Sequence, residues 1–287
     1  MDNNINGTLA AELLKTAKTD IKASKILYKN RLYAQSYFYF QQATEKATKA
    51  VALSLDMSTA KGVFKMGHDI FKLHRKNILT AKRDKQLAVD LTKALPFMET
   101  SGLIEAKKLQ EQIKSTDESI VFFDNMKEYD LINISARDIN HFLKNIEALE
   151  LKTAKIPEDL ESKIDGLFMP FIEKLEQHES KTAQYMGREM RAALKSDKFG
   201  QFIREHFADV IKSFVHILYA HTVLYFSGFL TIQHSSKSRY PDTDNPSINP
   251  LATYTKKLPV IKYQPQFLEH LERAVKAIEK NLHYIPN

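Results

Sequence analysis

The chain has 287 residues, of which 43% are hydrophobic and 27% charged, with a formal charge of +7 and a pI near 9.2. That size and balance are those of a globular chain able to bury a core, and the mild basicity permits contact with phosphates without requiring it. With no cysteine in the sequence, a disulfide framework, a thiol nucleophile and a zinc–thiolate site are all excluded.

Met1 to Leu9 is polar and holds no apolar signal core. Leu9, Leu13, Ala17, Ile21, Ser24 and Tyr28 then recur at the three-four spacing of a first helix. Asn30 and Arg31 interrupt it, and a second helix is predicted from about Tyr33 to Leu55. Its apolar stripe passes through Tyr37, Phe40, Ala43, Ala47 and Val51. The same helix carries Gln41, Gln42, Glu45, Lys46 and Lys49. Gln41 and Glu45 lie one turn apart on one face, as do Gln42 and Lys46. A buried amide must find partners. This set therefore either fixes register, within a bundle or at a dimer interface, or holds a nucleotide or an RNA phosphate.

Asp56 to Gly67 reads as a loop, and a third helix opens at His68-Asp69-Ile70. Lys61, Lys65, Lys72, Arg75, Lys76, Lys82 and Arg83 crowd the same region, with Asp69 as the single acid before Asp84. They form either a solvated helical face or a phosphate-binding patch. Further helices are predicted at Leu103–Lys114, Ser135–Leu151 and Pro157–Lys195. Pro157, Glu158 and Asp159 suit a first turn, where a missing donor costs nothing and acids face the helix dipole.

Gln201 to His234 reads as one long apolar helix. Its Phe214–Ile232 part approaches the length of a membrane span, about 20 apolar residues. His216, His221 and Ser227 interrupt it, so a buried central helix is expected and no membrane contact. Ser235 to Gln264 is a proline-rich connector, followed by a last helix, Pro265–His283, with Phe267, Leu271, Val275 and Ile278 on one face. No segment alternates as a strand would. The expected class is all-α, an up-and-down bundle pairing the first two helices with Gln201–His234 and the last helix.

Several of these pieces occur in a recognisable order. The first helix has Asp20, Ala23 and Leu27, and Tyr33 follows at the turn. The second reads Tyr37, Phe40, Gln41, Gln42, Ala43, Glu45, Lys46, Lys49, Ala50. His68-Asp69-Ile70 with Leu73 starts the third helix, and Ser238-Arg239-Tyr240-Pro241-Asp242 with Tyr254 comes near the end. Together these resemble the HEPN family, small helical bundles of prokaryotes that also occur in sacsin. The resemblance places the HEPN-like bundle in residues 1–76 and 210–287, with 77–209 as a helical insertion.

What the resemblance implies is a cytoplasmic homodimer that binds a nucleotide or RNA without catalysis. It would be one half of a toxin–antitoxin or phage-defence pair, with a nucleotidyltransferase-type antitoxin as a candidate partner. Phosphate contacts would come from Arg239, Lys46, Lys49 and His68, with Tyr240 available for stacking.

HEPN ribonucleases are similar to one another in an Arg, a polar residue, and a His after four to six intervening positions. Arginine would stabilise charge on the phosphate and histidine would move the proton. The nearest pattern here is Arg137-Asp138-Ile139-Asn140-His141, with three intervening residues. On a helix Arg137 and His141 still share a face, so a metal-independent endoribonuclease stands as the alternative. His216 and His221, five apart, do not share a helix face as metal ligands would. There is no glycine-rich phosphate loop or nucleophile elbow, and no metal or cofactor is expected.

Overall fold

The computed structural model describes residues 2–55, 57–65, 67, 71–100, 105–125, 133–154, 160–240 and 249–281. In chain order the helices are α1 (Asp2–Lys29), α2 (Tyr33–Ser54), α3 (Ala60–Lys65), α4 (Phe71–Ala94), α5 (Phe97–Thr100), α6 (Ala106–Asp124), α7 (Ala136–Ala154), α8 (Leu160–Glu176), α9 (Lys181–Lys195), α10 (Asp197–Thr231), α11 (His234–Lys237), α12 (Pro250–Thr253) and α13 (Pro259–Asn281). No strand occurs among the described residues, and the chain is an all-α helical bundle. Its chain divides into two compact units: residues 1–74, 126–154 and 215–287, and residues 75–125 and 155–214.

In the first unit α1 and α2 form an antiparallel hairpin. Ala10, Leu14, Ala17 and Ile21 bury one face of α1 against Ala34, Tyr37, Phe40, Ala43 and Ala47 of α2. Alanines on the stripe let the backbones approach closely. Each fully buried aromatic such as Tyr37 or Phe40 contributes about 1.5–3 kcal/mol. The turn between them is a Schellman motif. The Leu32 N–H donates to Leu27 O at 2.9 Å and the Arg31 N–H to Tyr28 O at 3.0 Å. Arg31 sits in the left-handed region at φ 62°, the place where glycine is usual.

A buried polar knot fixes the register of three helices. Ser24 Oγ donates to Ser36 O at 2.7 Å, Ser36 Oγ to Ser24 O at 2.8 Å, and Gln264 Nε2 to Ser36 Oγ at 2.8 Å. These residues belong to α1, α2 and α13. The last helix begins at Pro259, ahead of the expected Pro265, and continues through it. Pro265 removes one N–H and crowds the preceding turn. Buried Val260, Ile261, Phe267 and Leu268 on both sides hold the helix together across it.

Helix α7 also packs in this unit, on α13, through the buried stripe Ile139, Leu143 and Ile146. Phe142 stacks on Phe226 of α10 at 4.6 Å between ring centres. The second unit contains a helical hairpin, α8–α9, in place of the single Pro157–Lys195 helix expected. Residues 177–180 break it. Gly187 permits the close approach: a Cβ there would lie 2.8 Å from Glu176 Cγ and 3.0 Å from Glu176 N. Arg191 clamps Glu176 with two bonds of 2.8 and 2.7 Å. Gly200 to Thr231 of α10 is long and apolar enough to cross a membrane by length and composition, and half of its most apolar window is buried within the protein.

Candidate functional site

The polar face of α2 is internally satisfied. Gln42 Nε2 donates to Gln41 Oε1 at 2.8 Å, and Gln41 Nε2 to Glu45 Oε2 at 3.2 Å. Lys49 Nζ lies 2.6 Å from Glu45 Oε1, and both side chains are nearly buried, 10% and 7% exposed. Lys46, one turn from Gln42, reaches across to Asp20 of α1. The spacing one turn apart therefore does what helical geometry favours, and the set ties α2 to itself and to α1. Both lysines are engaged by carboxylates, so an incoming phosphate would have to compete for them.

The turn after α10 is built on a buried aromatic cluster. Tyr37 OH donates to Leu230 O at 2.8 Å, and His234 Nδ1 lies 2.6 Å from Tyr254 OH. The rings of Tyr37 and His234 are 5.0 Å apart, and those of His234 and Tyr254 are 5.5 Å apart. Burial raises both phenols, Tyr37 well above the ordinary tyrosine range, which keeps them protonated as donors. Tyr254 belonged to the sequence pattern, whereas His234 did not.

Just beyond that cluster the chain presents Arg239. Its guanidinium carbon lies 5.3 Å from the centre of the Phe38 ring and 5.2 Å from that of Tyr240. Arg239 is exposed and Tyr240 is 62% exposed. An arginine seated on two rings keeps its planar fork in a fixed direction. Pro241 and Asp242, which complete the motif, and His68 lie outside the described residues.

Arg137 and His141 are both exposed, one turn apart on α7. Asp138 between them serves the helix start: its N–H donates to Ser135 Oγ at 3.2 Å, while Ser135 Oγ donates to Asp138 Oδ2 at 2.7 Å. This is an N-terminal cap. Asn140 Nδ2 donates to Tyr263 OH at 2.9 Å and links α7 to α13.

Two further histidines, His74 and His270, are buried. His74 is packed against Phe71, His221 and Tyr225, with ring centres 5.7, 6.0 and 5.4 Å away. Burial first, and the neighbouring His221 second, lower its pKa to about 3. His270 meets Tyr219 OH at 3.1 Å and Arg273 at 3.0 Å, and burial followed by Arg273 lowers it to about 4. Both are neutral at pH 7. Among the described residues no three His, Asp or Glu side chains come together as metal ligands.

Residues 10–129 match the family model of the HEPN domain. The match begins in α1, includes the whole Gln41–Lys49 face and runs on to residue 129; the Arg239 turn lies beyond it. No curated protein and no solved structure matches the chain. The hairpin stripe of α1 and α2 and the satisfied polar face of α2 both lie within residues 10–129, the part of the chain that matches the HEPN domain.

Proposed function

We propose that the chain is a non-catalytic HEPN protein that binds a nucleotide or RNA, with Arg239 as the phosphate contact and Tyr240 as the stacking surface. The observation that carries this reading is the guanidinium of Arg239 seated on Phe38 and Tyr240. A guanidinium matches two phosphate oxygens with two parallel N–H bonds. An exposed tyrosine beside it supplies a π-face for any base, without sequence preference. Lys46 and Lys49 stay with the bundle in this reading, since carboxylates already hold them.

Arg239→Ala is expected to weaken binding of a fluorescent single-stranded RNA by about 1–3 kcal/mol, the range for a lost charged hydrogen bond, and to leave the melting temperature nearly unchanged. A variant that melts much earlier while RNA binding persists would make Arg239 a brace for the turn. A second reading, endoribonuclease, has one observation in its favour: Arg137 and His141 are exposed together on one face of α7. The proposal includes a homodimer in the cytoplasm, acting in a toxin–antitoxin or phage-defence pair with a nucleotidyltransferase-type antitoxin as the partner. Sedimentation at micromolar concentration is expected to give the mass of two chains, and a monomer there removes the dimer.

A further inference from the structure

Lysines 18, 22, 25 and 29 follow one another at four-three-four spacing, so they stand in a row along one face of α1. Three turns of helix give that row a length of about 16 Å. It forms the rim of a groove between α1 and α13, with a cavity of about 450 Å³. A second cavity of about 270 Å³ shares Lys25 and Lys29 and continues the groove past Tyr28 to Pro265 and Leu268. Neither cavity belongs to the Arg239 turn.

Two properties decide what the groove suits. Its floor is aliphatic: Ile21 is buried beneath it, and Ile26 is 51% exposed within it. Its walls differ in sign. The charged groups of the α1 wall are all lysines, while the α13 wall presents Glu269, Glu272 and Lys276. Glu272 already takes Lys25 at 2.6 Å and Lys276 at 3.3 Å, and Glu279 takes Lys18 at 2.5 Å. Lys22 and Lys29 stand exposed on the rim.

A polyphosphate chain or a nucleic-acid backbone laid here would meet Glu269 and Glu272 of α13 and would leave Ile26 uncovered. A helix with an apolar stripe answers both features. Its stripe covers the exposed Ile26 and the aliphatic stems of the neighbouring lysines, and carboxylates along one edge face Lys22 and Lys29. We infer that the α1–α13 groove is a docking site for an acidic amphipathic helical segment of a partner protein, about three turns long, bound in the helix-in-groove mode. The carboxylates of α13 show the anion that these lysines accept, and the exposed Ile26 is the apolar anchor point.

The test uses the full chain and a displayed library of random 14-residue peptides. Selection is run on the wild type, with counter-selection against the variant Lys22→Glu with Lys29→Glu. Both positions are exposed, so the variant retains its fold, which circular dichroism checks. The enriched peptides are expected to repeat apolar residues at three-four spacing with Asp or Glu on one edge. Synthesised, they should bind at least about tenfold more weakly to the charge-reversed variant and to Ile26→Asp. Arg239→Ala should leave their affinity unchanged, which separates this site from the proposed RNA contact. Failure to enrich any such pattern overturns the inference. So does a result in which the charge reversal abolishes binding of a ten-nucleotide RNA or of inorganic tripolyphosphate while the peptides bind both proteins alike.

Discussion

Glu45→Leu is expected to destabilise the first unit by about 3–5 kcal/mol, the cost of leaving a buried charge without its partner. The loss would not come from the carboxylate's own attraction. Glu45 and Lys49 are nearly buried, 7% and 10% exposed, at 2.6 Å, and taking both charges out of water offsets most of what their pairing returns. Removing Glu45 alone keeps the desolvation cost of the Lys49 ammonium and also strips Gln41 of its acceptor. Replacing both, Glu45→Met with Lys49→Met, removes the unpaired ammonium and leaves only the Gln41 amide without its acceptor, so it is expected to recover most of the loss. Thermal melts followed by circular dichroism distinguish the outcomes. Equal losses from the single and double variants would show that the pair itself supplies the stability.

The second large effect is an acid one. His74 is held at a pKa of about 3, against 6.5 in an unfolded chain, by burial and then by His221. Above pH 6.5 neither state binds a proton there, so the group confers no pH dependence. Below 6.5 the unfolded chain takes up a proton that the folded chain refuses, so stability falls as pH falls. By pH 4 the difference reaches about 3 kcal/mol from His74 alone. His270, lowered to about 4 by burial and then Arg273, acts in the same direction over pH 6.5 to 4. Among the described residues Nε2 of His74 has no hydrogen-bond partner, so His74→Phe removes an uncompensated polar atom as well as a titration. The gap between urea midpoints measured at pH 7 and pH 4 should narrow in His74→Phe, with the contribution of His270 remaining. A wild-type midpoint that is flat over this interval would place His74 in contact with water.

The sequence reveals most about segments whose partners lie nearby in the chain. The stripes of α1 and α2 and the Gln41–Lys49 face are legible because a helix brings residues three and four apart together. The extents of the connector and the last helix were harder to read. Pro265 normally argues against a helix interior, and the buried residues on either side of it outweigh that local preference. The α8–α9 break hides in a run of helix-forming residues. The contact that closes the hairpin, Gly187 seated against Glu176, is a tertiary one.

The same division applies to the site. Arg239 and Tyr240 were readable from their proline turn, but their seat on Phe38 depends on residues about 200 positions apart, which no spacing shows. His234 owes its place to Tyr37 and Tyr254. For the α1 groove, the lysine row at 18, 22, 25 and 29 has a four-three-four spacing that by itself marks only a solvated helix face. Its opposite wall comes from α13, and only the fold unites the two.

Incubating the purified protein with end-labelled single-stranded RNA, with and without a divalent metal, tests the proposed function most directly. The RNA should be retarded on a native gel by the wild type, retarded less by Arg239→Ala, and recovered at full length in a denaturing gel under both metal conditions. Shortened products that persist without metal and vanish in Arg137→Ala or His141→Ala would contradict a non-catalytic role and assign the chain to the ribonucleases.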